Sequence, residues 1–324
     1  MLSVYKYIIK RSLLAIPTLL GVSMIIFGML YLAPGGPVEV MMSSQPASAE
    51  QIQDIRQQLN LDEPIYVQYG DWAWDALHGE LGRSWSITQG TAVNDLIIQR
   101  IPLTAELALL SMILAIAIGI PAGIIGAVYQ DQIADHAARV VALSGISIPD
   151  FWLGIMLIVV FGVQFQISWA SGSWIPLSES VTGNLKHLIF PVITLGTAYS
   201  GLIARMMRSE MLDALNGGYI RTAQAMGISN RTIVFRDAAK NAFIPVLTVI
   251  GIGLARLMNG ALLTETVFNL PGIGQLLVTS IARRDYRVIQ GIVLFVAVIF
   301  IVSNIIVDVL YAYLDPRIRL SGGD

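Results

Sequence analysis

The chain has 324 residues and a formal net charge of −2, with 55% hydrophobic and only 13% charged residues and a mean hydropathy of +0.68. A soluble domain usually carries about a quarter charged residues, so this balance places the chain in a bilayer. The near-neutral charge argues against a nucleic-acid binder, and the lack of cysteine excludes disulfides and thiolate metal sites.

Lys6, Lys10 and Arg11 precede an uncharged run from Ser12 to Val38. Positive-then-apolar is also the mark of a cleaved signal peptide. Here, however, the apolar part is about 20 residues long, enough to span, and Ala33-Pro34-Gly35-Gly36 reads as a helix stop. A retained first span with its N-terminus inside is expected. From Glu39 to Arg100 the chain turns acidic, the sign of an outer face, because cytoplasmic loops collect lysine and arginine. A helix is predicted from about Ala49 to Leu59, with Ile52, Ile55 and Leu59 on one stripe. Trp72, Trp74 and Trp85 are read as anchors at the membrane interface rather than a sugar-stacking surface.

Span two is predicted from about Pro102 to Tyr129. It is uncharged after Glu106, for which a solvated setting is expected, and its Gly119, Gly123 and Gly126 permit close helix packing. Gln130 to Arg139 is then a short cytoplasmic loop. Pro149 interrupts span three beside Asp150, where a helix break exposes backbone carbonyls to a water-filled path. Gln164 to Lys186 forms a second outer loop with Trp169 and Trp174. Span four covers about His187 to Ala204 and span five about Pro245 to Thr264. An outer loop from Glu265 to Arg287 leads to span six, Val288 to Tyr313. Lysine and arginine favour the loops placed inside, so about six spans with both termini in the cytoplasm are expected.

Between spans four and five lies a basic stretch from Arg205 to Pro245. Asn216-Gly217-Gly218 is expected to end the incoming helix with glycine in the left-handed C′ conformation. Tyr219 to Met226 reads as a two-turn helix with Tyr219, Ile220, Ala223 and Met226 on one face. Gly227 closes it, and Ser229 caps a third helix carrying Arg231, Arg236 and Lys240. Small residues at Ala223, Ala225 and Gly227 let another protein's backbone come close. Periodicity alone serves equally well for an amphipathic helix lying on headgroups.

Catalytic signatures are missing. No lysine follows a glycine, so no P-loop cradles a phosphate. His78, His136 and His187 are far apart and outside any His-Glu-x-x-His context, and Gly145-Ile146-Ser147 has no histidine in a later span to serve as base. An arginine at mid-bilayer costs about 3 kcal/mol on insertion scales, so Arg256 is expected to face protein or water.

The runs YIRTAQAMGIS, NAFIPVLTVIG and TETVFNLPGIGQLL, with QLNLDEPIYVQYGDW and HGELGRSW nearer the N-terminus, resemble the inner-membrane permeases of bacterial ABC importers. They resemble in particular the dipeptide/oligopeptide/nickel branch. The resemblance implies an all-α membrane protein of the type I importer permease fold. Residues 1–100 would form a first span plus an extracytoplasmic region, and 101–324 a five-helix core with a coupling helix at about 216–228. In that family the short helix sits in a cleft of the cytoplasmic ATPase, which assigns ATPase coupling to Tyr219, Ile220, Arg221, Thr222, Ala223, Met226 and Gly227. The general signature is Glu-Ala-Ala, three residues, then Gly. Arg221-Thr222-Ala223 replaces its first three and Gly227 keeps its last, while Asp237 stands where the branch commonly has histidine.

The resemblance also implies a second homologous permease, one or two ATPase subunits that bind the ATP and magnesium, an extracytoplasmic solute-binding protein, and a peptide-like solute. This chain itself needs no cofactor. For the translocation path the residues themselves suggest Arg256, opposite a peptide carboxylate or in a structural pair with Glu106 or Asp150, together with Asp150 and Glu265. Glu265 is expected to line the entrance or contact the delivering protein. Nickel chelates and glutathione are alternative solutes. An ion-coupled secondary transporter would show duplicated halves and several mid-membrane ionisable residues, and neither is evident. A scaffold subunit without a path is the remaining alternative.

Overall fold

The computed structural model describes residues 2–32, 62–258 and 261–314, and the helix expected at about Ala49 to Leu59 lies outside them. Among the described residues every regular element is helical, apart from a single bridge between Arg83 and Ala92. Val93–Val128, Val181–Leu215, Asn230–Met258 and Tyr286–Val307 are each long and apolar enough to cross a bilayer. A fifth crossing is the pair α5 (Ile133–Ser147) and α6 (Asp150–Leu157) with its π-helical extension Ile158–Gln164, bent by 95° at Pro149. The predicted break is therefore present. Helix α1 (Leu2–Leu32) contains a shorter apolar stretch, Leu13–Met29, so the described residues hold four to five helices of spanning length where about six were expected.

Several boundaries move. Helix α7 (Val181–Leu215) starts earlier and ends later than span four was placed. The Ser180 hydroxyl caps it by accepting from Gly183 N at 3.0 Å, and no glycine lies between Ala204 and Gly217. The third helix of the basic stretch and span five are one continuous segment. Ser229 caps α9 (Asn230–Thr232), a π-helical turn covers Ile233–Ala238, and α10 (Ala239–Met258) follows without a break. Pro245 lies inside α10 instead of opening a span, since a proline removes one backbone hydrogen bond without forcing a stop when packing holds the helix.

The most extensive helix pairing joins α4 (Ile101–Val128) to α7. Small residues make it possible: a Cβ on Gly123 would sit 2.6 Å from Met207 Cβ and 2.7 Å from the Ala204 carbonyl, so no larger side chain fits at that separation. Leu103, Leu107, Met112, Ile203, Met207 and Val246 fill the main core between α4, α7 and α10.

Of the three tryptophans expected to anchor at the interface, Trp72 is buried, Trp85 is half-buried and Trp74 is exposed. Trp72, on α2 (Ile65–Leu77), is buried 5.7 Å from the Phe27 ring of α1, and the Tyr69 hydroxyl bonds Ser23 at 2.8 Å. Trp169 stacks on Phe190 at 5.3 Å. Trp174 donates from Nε1 to Glu106 Oε2 at 3.1 Å, so Glu106 is a half-buried acceptor instead of a solvated side chain.

Candidate coupling surface and solute path

The short helix α8 (Gly218–Ala225) stands where the sequence places it, but its glycines work differently from the expectation. Helix α7 ends at Leu215, and Gly217 has φ −65° and ψ 145°, extended backbone rather than a left-handed cap. What Gly217 needs is space, because a Cβ there would meet the Tyr219 ring at 2.6 Å. Gly227 does take the left-handed conformation, φ +75°, and closes the helix as predicted.

The predicted apolar face is split. Ile220 is 1% exposed and belongs to the same core as Met211 and Ile233, whereas Met226 is 72% exposed and Tyr219 also lies outward. At 3.6 residues per turn, positions 219, 223 and 226 share a stripe, and 220 sits about 100° away from 219. One side chain therefore roots the helix in the bundle. Arg221, Thr222, Gln224, Met226 and Gly227 remain at the surface, and Ala223 is half-buried between the two. The Asn241 side-chain amide donates to Tyr219 Oη at 3.3 Å, tying α8 to α10.

Arg256 is exposed on the last turn of α10 and makes no ion pair with Glu106 or Asp150 among the described residues. Asp150, the first residue of α6, accepts its neighbour's amide, Phe151 N, at 2.8 Å. The Tyr199 ring packs so closely on α10 that a Cβ on Gly253 would meet it at 2.9 Å. Tyr199 of α7 thus sits against α10 at Gly253, three residues before Arg256.

Glu265 does not line an entrance. It lies on α11 (Leu262–Val267), fully buried, and holds the following loop from within. Thr104 Oγ1 donates to Oε1 at 3.0 Å, and Gln275 N donates to Oε2 at 3.0 Å at the start of α12 (Ile273–Ala282). Gly272 and Gly274 are required beside it, since a Cβ on Gly272 would overlap the carboxylate and one on Gly274 would strike Leu262 Cα at 2.6 Å. Burial pushes this carboxyl above its ordinary value, and the donated hydrogen bonds offset part of that rise. The expected contact with a delivering protein is ruled out by the side chain's position under the Leu270-Pro271-Gly272 turn.

Asp285 was not singled out from the sequence. Its Oδ2 accepts from Ser84 Oγ at 2.6 Å and from the amides of Trp85, Ser86 and Ile87 at 3.0, 2.9 and 3.2 Å. Its Oδ1 faces Val288 N at 3.4 Å, capping α13 (Tyr286–Leu314). Arg287 lies 5.6 Å over the Trp85 ring. An aspartate immediately before an apolar helix is an N-cap signal, and that was the available clue. Among the described residues no three His, Asp or Glu gather as metal ligands.

Residues 119–320 match the family described as binding-protein-dependent transport system inner membrane component, and residues 4–108 match the N-terminal region of such membrane components. The chain is 38% identical to the dipeptide transport system permease protein DppB of Escherichia coli K12, covering 97% of this chain and 98% of that one. It is 39% identical to the di/tripeptide transport system permease protein DppB of Pseudomonas aeruginosa UCBPP-PA14, with the same coverage. It is also 39% identical to a putative peptide transport system permease protein of Brucella abortus 2308, covering 96% and 98%. Among solved structures, an inward-facing MetNI methionine ABC transporter matches with TM-score 0.56 and 18% identity, covering 68% of this chain and 96% of that one. The chain, an all-α multi-pass inner-membrane protein, belongs to the inner-membrane permease component family of binding-protein-dependent transport systems.

Proposed function

We propose that this chain is the permease subunit of an ATP-driven importer of di- and oligopeptides, with both termini on the cytoplasmic side. It forms half of the translocation path beside a second homologous permease. Cytoplasmic ATPase subunits bind and hydrolyse ATP, and an extracytoplasmic binding protein delivers the solute. The observation that carries this reading is α8: a short, largely exposed helix rooted by Ile220 and followed by one uninterrupted segment, Asn230–Met258, that enters the membrane. Tyr219, Arg221, Thr222, Ala223, Met226 and Gly227 form the surface an ATPase grips. Its closure and opening drive the bundle between outward and inward states. The peptide solute is supported by the names of the relatives. It also suits Asp150 on α6 and Arg256 on α10, opposite charges that would complement the two ends of a zwitterion.

The chain has no native cysteine, so Gln224→Cys, on the exposed side of α8, can be crosslinked to single cysteines placed around the cleft of a candidate ATPase. Crosslinks that change with ATP are expected. Their absence at every position, in a complex that still transports, refutes the coupling role. Proteoliposomes holding the whole complex then separate importer from ion-coupled transporter: uptake must require ATP and must not run on a proton or sodium gradient alone.

A further inference from the structure

A cavity of about 280 Å³ opens between α4, α5 and α7 and has no part in the surfaces described above. One wall is apolar, made by Ala122, Ala138, Ala142, Leu143, Ile146 and Ala204. The other carries Arg139, Arg205, Arg208 and Ser209, and no carboxylate lines it. Two of the three arginines, Arg139 and Arg208, are held in place by carboxylates outside the lining. Asp135, fully buried at the start of α5, accepts from Arg139 Nε at 3.0 Å and from Arg208 Nε and Nη2 at 2.7 and 2.9 Å, with a further bond from Arg139 Nη2. Asp131 adds a contact to Arg139 at 3.2 Å.

Each guanidinium has five donors. The Nη1 groups of Arg139 and Arg208 make no bond among the described residues, and exposed Arg205 has no ion pair there. Three arginines against two carboxylates leave a net positive charge at the cavity. Arg205 lies ten residues before the end of α7, about 15 Å along the helix. On the orientation proposed above, that is headgroup depth in the cytoplasmic leaflet. Beside the cavity, Val140, Val141 and Leu143 of α5 are exposed.

We infer that this cavity binds one anionic phospholipid from the cytoplasmic leaflet, its phosphate between Arg139, Arg205, Arg208 and Ser209 and an acyl chain along the apolar ridge of α5. A phosphate diester suits planar guanidiniums with unused donors. Free phosphate would leave the apolar wall unused, and a zwitterionic lipid would bring its own cation toward the arginines. The inference rests on the proposed orientation only for its choice of leaflet.

The test uses the full chain in zwitterionic detergent, followed by native mass spectrometry with dimyristoyl phosphatidylglycerol, dimyristoyl phosphatidylcholine or glycerol 3-phosphate. One phosphatidylglycerol per chain is expected to survive at collision energies that strip phosphatidylcholine. Arg205→Gln, a change at an exposed position, should weaken its retention about fivefold, the effect of one basic residue near an anionic headgroup, and Arg205→Lys should restore most of it. Equal retention of the two lipids, unchanged retention in Arg205→Gln, or equal binding of glycerol 3-phosphate each overturns the proposal. So does a chain oligomer that excludes lipid and is broken by Arg205→Gln, which assigns the cavity to protein. Ser209→Cys labelled by an impermeant maleimide in right-side-out and inverted vesicles tests the orientation separately. Labelling from the outer face alone overturns the leaflet assignment, whatever the lipid result.

Discussion

Glu265→Gln changes one carboxylate oxygen to an amide NH2 at nearly constant size, so its effect isolates the hydrogen-bond pattern. On one side the Thr104 hydroxyl donates to Oε1 at 3.0 Å while accepting from Ile273 N at 3.0 Å, which commits its proton to the glutamate. On the other side stands Gln275 N at 3.0 Å, with the Gly274 amide also contributing. As arranged every partner donates, and a glutamine has only one acceptor end, so one rotamer sets its NH2 against the Gln275 amide and the other takes away the acceptor of the Thr104 proton. A buried polar group left unmatched costs about 1–3 kcal/mol. Relief from burying a charge offsets part of this, and a net loss of about 1–2 kcal/mol is expected. The assay is unfolding of the detergent-solubilised chain by titration with sodium dodecyl sulfate, for wild type, Glu265→Gln, Thr104→Val and the double variant. The two changes should be non-additive by at least about 0.5 kcal/mol. Glutamine as stable as glutamate, or strict additivity, would refute the internal-strut reading. If Glu265 faced a delivery protein instead, stability would stay constant and only docking would suffer.

Asp285→Asn should loosen the segment from Ser84 to Ile87, because three backbone amides and one hydroxyl converge on a single oxygen that an amide cannot replace in both orientations. A Ser86→Cys reporter is expected to react with a maleimide several-fold faster in that background, and an unchanged rate would disprove the latch. Gly123→Leu should force α4 from α7, costing about 1–3 kcal/mol from overpacking. The detergent titration reads it, and a wild-type midpoint would contradict the close approach seen at Met207 and Ala204.

The long apolar segments and the Pro149 break were legible because hydropathy and proline act locally. Gly227 was legible for a similar reason, since a left-handed residue at a helix end is a local demand. Boundaries in the basic stretch were less so: polarity was taken to end the membrane helices, yet α7 continues ten residues past Arg205 and α10 is fed directly from Asn230. Helices do not stop where water begins; they stop where a cap or a clash ends them. The roles of Glu265, Glu106 and Asp285 were out of reach for another reason. Each depends on partners more than sixty residues away along the chain, Thr104, Trp174 and Ser84, and no periodicity encodes such pairings. Burial turned two outward-facing expectations into internal struts.

The segment Asn230–Met258 is 29 residues long, about 43 Å at 1.5 Å per residue. Unlike its counterpart bent at Pro149, it has no knee. On the coupling role proposed above, a push at its Asn230 end would reach Arg256 along one continuous helical segment, through the π-helical turn at Ile233–Ala238 and past Pro245. On that proposal the displacement at Arg256 would follow how far the Asn230 end is carried, so lengthening or shortening the segment by a turn should alter coupling more than changing any one side chain on it.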